Sequence, residues 1–166
     1  EQNQVIDSVV AKGAKGIGMF PSDADASNAE ITKLANNGIP VIAIGGSPTE
    51  PSDAVFCFAT DVGASVALGT QKLIDKLKEN GLTKGNIVHL CSASNDTNTQ
   101  KKQSAIREVL ASPENTGFTL YQELADTDNT ELAETAISEM FSSYIDEVDG
   151  IICTGYVNAQ VLAKTM

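Results

Sequence analysis

The stretch Val41–Asp61, VIAIGGSPTEPSDAVFCFATD, decides how the rest of the chain is read. It contains two short apolar runs, Val41–Ile44 and Val55–Phe58, joined by a loop of Gly, Ser and Pro and followed by Thr60-Asp61, where a long amphipathic pattern begins. Strand, small-residue loop, strand and helix start, in that order, bring backbone amides to the ends of sheet strands. Open α/β sheets bind ligands there.

Working outward, Gly16–Phe20 reads as a strand. Ser22 and Asp23 can cap a helix carrying Ile31, Leu34 and Ala35, and Asn37-Gly38 ends that helix before Val41. This is a strand–helix–strand unit, and right-handed crossover makes its strands parallel. Before it, Val5, Ile6, Val9 and Val10 mark an amphipathic helix in EQNQVIDSVVAKG. After Asp61, taken as a helix cap, Val62, Val66, Leu73, Ile74 and Leu77 share one helix face, and Gly81 stops it. Further strands are expected at Asn86–Cys91, Gly117–Tyr121 and Gly150–Cys153. Between them lie a helix with Ala105, Ile106, Val109 and Leu110 inward, and one with Leu132, Ala136, Ile137, Met140 and Phe141 inward. Asp128 and Glu131 suggest a capping box for the latter. A helix in YVNAQVLAKTM follows the last strand. Such alternation predicts α/β architecture with parallel sheets covered by helices on both faces.

Composition narrows the function. With 166 residues, 42% hydrophobic and 20% charged, the chain suits one core or two small lobes, and no apolar run approaches the roughly 20 residues of a membrane span. A formal charge of −11 without a basic stripe argues against nucleic acid and anionic membrane surfaces. Cys57, Cys91 and Cys153 stand in apolar runs without CxxC spacing, so all three are expected as buried thiols and not as a disulfide frame or metal site. No cofactor motif is present: there is neither a phosphate loop nor a dinucleotide fingerprint. His89 reads as a packed strand residue because no orienting partner is nearby in sequence. Cys91-Ser92 lacks an activating base, so an enzyme is not expected. Asp126-Thr127-Asp128-Asn129 starts like a calcium loop but lacks its glycine and distal glutamate; a helix cap explains it better.

The runs Gly13–Gly46, Phe58–Gly69, Lys84–Leu90, Ala125–Met140 and Val148–Gly155, in this order and spacing, resemble the ribose-type periplasmic sugar-binding proteins of ABC transporters. That resemblance implies the type I periplasmic-binding-protein fold: two Rossmann-like lobes joined by hinge strands, with a ligand clamped in the cleft between them. It implies an internal fragment, with residues 1–60 as part of the N-terminal lobe and 61–166 as part of the C-terminal lobe. Both lobes would be incomplete, and Thr60-Asp61 would stand at the first hinge crossing. The family's ligand positions map to Phe20, Gly45, Gly46, Lys102, Thr127, Gly155 and Tyr156, with Asn95 and Asp96 on a neighbouring loop. The family's Asp-Arg pair is Gly45-Gly46 here, its asparagine is Phe20, its arginine is Lys102, and its Asn-Asp is Gly155-Tyr156. These replacements argue against an ordinary pentose or hexose. Phe20 and Tyr156 can stack on an apolar ring face, and Lys102 can pair with an acidic group.

The function so implied is an extracytoplasmic solute-binding protein, periplasmic or extracellular and open to a lipoprotein tether. It would be a monomer when full length, and would deliver a sugar-like ligand to a membrane permease. Two alternatives share the fold. One is the effector domain of a lactose-repressor-like regulator, although Gly81-Leu82 replaces that family's usual Gly-His. The other is a sensor feeding a kinase or chemoreceptor.

Overall fold

Two separate three-stranded parallel sheets organise the computed structural model, which describes residues 2–166. Glu1, counted above in the first helix, lies outside the described residues. The elements are α1 (Gln2–Ala11), β1 (Ile17–Met19), α2 (Ala24–Asn36), β2 (Val41–Ile44), β3 (Phe56–Phe58), α3 (Val62–Glu79), β4 (Gly85–Leu90), α4 (Thr97–Ala111), β5 (Phe118–Leu124), α5 (Thr130–Ser143), β6 (Gly150–Cys153) and α6 (Tyr156–Thr165). The chain divides into two compact units. The first holds the residues up to Asp61 together with Asn95–Asn98; the second holds Val62–Ser94 and Thr99–Met166.

In the first unit the strand order is β1-β2-β3, with Ile17 paired to Val41 and Ile42 to Phe56. Ile6 of α1 and Ile31 and Leu34 of α2 bury against Met19 and Val41. Full burial of such side chains contributes roughly 1.5–3 kcal/mol each. Asp23 caps α2, its carboxylate accepting the Ala26 N–H at 2.9 Å. Both helices lie on one face of the sheet. The opposite face leaves Ile42, Ile44, Phe56 and Phe58 exposed, so the expectation of cover on both faces does not hold within this unit. The reason is topological: a right-handed crossover between sequential neighbours winds one way only. Cys57 is exposed for a related reason, being in the edge strand β3, and Cys153 is only partly buried; of the three cysteines, Cys91 alone meets the expectation of burial.

The second unit winds both ways. Its strand order is β5-β4-β6, so the chain passes from β4 to β5 through α4 and returns across β4 to β6 through α5. Right-handed crossovers in opposite directions put their helices on opposite faces. Ile87, Ile106, Leu110 and Phe118 pack with Ile74 and Leu77 of α3 on one side, while Val88, Leu90, Ile137, Met140, Val161 and Leu162 pack on the other. Two local readings are corrected. Asn129, not Asp128, caps α5: it has extended backbone and its Oδ1 accepts the N–H groups of Glu131 and Leu132, which sit two and three residues on as capping requires. Leu132 is consequently turned outward and is 53% exposed, and Ala133 takes the buried position. Among the described residues no helix is long and apolar enough to cross a membrane.

Candidate functional site

In each unit the predicted residues fall at the carboxyl ends of the strands. In the first unit Phe20 follows β1 directly and Gly45-Gly46 follow β2. The Phe20 ring, 45% exposed, lies against both glycines: a Cβ on Gly45 would stand 3.1 Å from its Cδ2, and one on Gly46 3.3 Å from its Cε2. Gly45 also has φ +79°, a conformation that L side chains resist, so glycine is required there twice over. Asn98 donates to the Gly45 carbonyl at 2.8 Å, Thr97 to the Ser47 carbonyl at 2.6 Å and Asn95 to the Asp23 carboxylate at 2.7 Å. The N–H of Ala26 and then the Asn95 amide hold Asp23 below the usual carboxylate range. Asp96 accepts the Asn98 N–H at 3.1 Å. Thr60 and Asp61 are exposed and link β3 to α3.

In the second unit the winding reverses between β4 and β6, and a doubly wound sheet opens its ligand crevice at such a reversal. Here Lys102 reaches from α4 to donate to the Thr154 carbonyl at 2.9 Å, just after β6. Gly155 precedes α6, and Tyr156, its first residue, is 79% exposed. Thr127 is buried: its hydroxyl donates to the Cys91 carbonyl at 2.8 Å and accepts from Asn158 at 3.0 Å. Asn158 also donates to the Leu90 carbonyl at 3.2 Å and accepts the Gly155 N–H at 3.2 Å. Thr127 thus braces the carboxyl end of this reversal, where Lys102, Gly155 and Tyr156 also lie.

Sequence reasoning missed the polar chain beneath the β4/β6 reversal. His89 is fully buried, with Nδ1 3.2 Å from Glu123 Oε2 and Nε2 2.8 Å from the Thr154 hydroxyl. The other oxygen of Glu123, Oε1, accepts from both Gln103, at 3.0 Å, and Arg107. The orienting partners of His89 lie 34 and 65 residues away, so no local signal announces them. Burial, joined by the Lys102 and Arg107 charges, lowers the His89 pKa against the raising effect of Glu123. Burial also pushes the Cys91 and Cys153 thiols up to about 11, leaving them protonated and weakly nucleophilic at neutral pH.

With this geometry in place, similarity to known proteins becomes informative. Residues 1–166 match the periplasmic binding protein domain. The chain belongs to the periplasmic binding protein family. This family is extracytoplasmic and its members bind without catalysing, in agreement with the expectation of no enzyme. Similar solved structures include an ABC transporter solute-binding protein from Clostridium phytofermentas with bound L-rhamnose (19% identity, TM-score 0.83, covering 98% of this chain and 49% of that one). A myo-inositol-binding protein from Caulobacter matches at 18% identity and TM-score 0.82, covering 97% and 53%. The fructose-binding periplasmic domain of a hybrid two-component system matches at 15% identity and TM-score 0.87, covering 98% and 52%. At these identities the likeness is one of fold. The periplasmic-binding-protein chain described here spans about half the length of the structures it matches.

Proposed function

We propose that the whole protein captures a sugar or sugar-like small molecule between an N-terminal lobe containing residues 1–60 and a C-terminal lobe containing residues 61–166. It then delivers that ligand to an ABC transporter permease. The observation that carries this reading is the β4/β6 reversal, with Lys102, the Thr154 carbonyl, Gly155 and exposed Tyr156 at the carboxyl ends of the strands. Tyr156, and Phe20 with its bare Gly45-Gly46 neighbours, offer ring faces for stacking on the apolar face of a ligand. The Lys102 ammonium has further donors for hydroxyl or acidic groups. Thr60-Asp61 act as hinge residues, and a ligand touching both lobes favours the closed form. In this reading the full-length protein is a monomer outside the cytoplasm, with or without a lipid tether.

Small-angle scattering of the full-length protein across sugars, sugar acids, polyols and nucleosides tests the proposal. A ligand that reduces the radius of gyration supports it, and unchanged scattering in the presence of a ligand shown to bind counts against closure. A second reading, a sensor passing occupancy to a kinase, is favoured by the similarity to the periplasmic domain of a two-component system. Ligand-dependent association with a histidine-kinase ectodomain instead of a permease would select it.

A further inference from the structure

We propose that His89 is a positioning residue for ligand binding: in its neutral form it holds the loop Thr154–Tyr156 and Lys102 in the binding geometry, and protonation releases them. This rests on the binding reading above. Oε1 of Glu123 accepts from Gln103 and is ion-paired with the Arg107 guanidinium, so Oε2 is the acceptor that faces His89. His89 Nδ1 must then donate to it, which leaves Nε2 as the acceptor and makes the Thr154 hydroxyl the donor across their 2.8 Å contact.

Adding a proton reverses that bond. Nε2 becomes a donor, and the Thr154 hydroxyl must accept from it and turn its own hydrogen elsewhere. The acceptor within its reach is the Leu90 carbonyl at 3.5 Å, which already takes the Thr154 N–H at 3.1 Å and the Asn158 amide at 3.2 Å. A carbonyl has two lone pairs, and at 3.5 Å the hydroxyl is a long third donor to it, a much weaker bond than the 2.8 Å one it gives up. The conflict falls on the β4/β6 crevice, where Asn158 also holds the Gly155 N–H. The charged groups facing His89 are Glu123 from β5 and Lys102 and Arg107 from α4. Glu123 favours the imidazolium, but Lys102, which holds the other side of Thr154, is repelled by it. His89 therefore acts through Thr154 and Lys102 without contacting the ligand.

The test uses the full-length protein in two measurements. Long-range ¹⁵N–¹H NMR, with His89 assigned by its loss in H89Q, is expected to show the Nδ1–H tautomer at pH 7.5; an Nε2–H tautomer overturns the proposal. Calorimetric titration follows with L-rhamnose, fructose and myo-inositol, none of which ionises between pH 5 and 7.5, extended to other polyols and nucleosides. Affinity is expected to fall about tenfold on acidification, the worth of one hydrogen bond in this setting. T154V is expected to bind about tenfold more weakly at pH 7.5 with a flat profile, T154S to follow the parent, and H89Q to be flat. Binding that is flat in the parent protein, or a T154V profile as steep as the parent's, overturns the proposal alone. Absence of binding by every compound overturns the binding reading and the proposal together.

Discussion

Replacing Asn158 by alanine tests how the crevice is held. The side chain is fully buried and makes three hydrogen bonds: to the Leu90 carbonyl, to the Thr127 hydroxyl and from the Gly155 N–H. Two partners keep other bonds, because Leu90 still accepts the Thr154 N–H and Thr127 still donates to Cys91. The half-buried Gly155 N–H, just before α6, loses its side-chain acceptor. At about 1 kcal/mol for each of the three net bonds, the loss is about 3 kcal/mol. Urea denaturation followed by circular dichroism reads it as a lower midpoint at unchanged slope. Asn158→Asp sharpens the test, since its carboxylate would face the Leu90 carbonyl. It should be worse than alanine at pH 7 and recover relative to wild type as acid protonates it. A loss under about 1 kcal/mol for the alanine variant, or an aspartate variant as stable as wild type at pH 7, would refute the reasoning.

Three further outcomes are expected. Because burial lowers the pKa of His89 in the folded state, the unfolded chain binds the extra proton first as pH falls. Stability that is full above about 6.5 is then lost as pH drops towards the folded value, and His89→Gln flattens that part of a denaturation-versus-pH curve. Native protein should label rapidly with iodoacetamide at exposed Cys57 alone, with Cys91 and Cys153 reacting after denaturation; mass spectrometry of the labelled peptides decides. In Gly117→Ala the new Cβ would meet the Thr83 carbonyl oxygen at 2.0 Å, a backbone clash worth about 3 kcal/mol or more, and a thermal midpoint close to wild type would contradict it.

The fold was legible because its signals are local. Asp23 before α2 and the apolar spacing Ile31–Leu34 or Ile106–Leu110 each speak for their own element, and alternation of strands and helices leaves few topologies. Small errors arose where two adjacent residues compete for one role, as Asp128 and Asn129 do for the α5 cap. The exposure of Phe56 and Phe58 is not legible because an apolar strand reads alike whether or not a helix covers it. The support of the site was illegible for a stronger reason. His89 comes from β4, Glu123 from β5 and Thr154 from just after β6, and Asn158 looks like any polar residue of a helix until the fold brings it to Leu90 and Thr127.

The most direct measurement is a thermal-shift screen of the full-length protein against sugars, sugar acids, polyols, nucleosides and furanosyl compounds. A ligand at a hundred times its dissociation constant adds about 2.7 kcal/mol, several degrees in midpoint for a protein of this size. The binding account predicts such a shift with at least one sugar-like compound, diminished when Lys102 or Tyr156 is replaced by alanine. A midpoint unmoved by every compound, in protein shown to be folded, would contradict it.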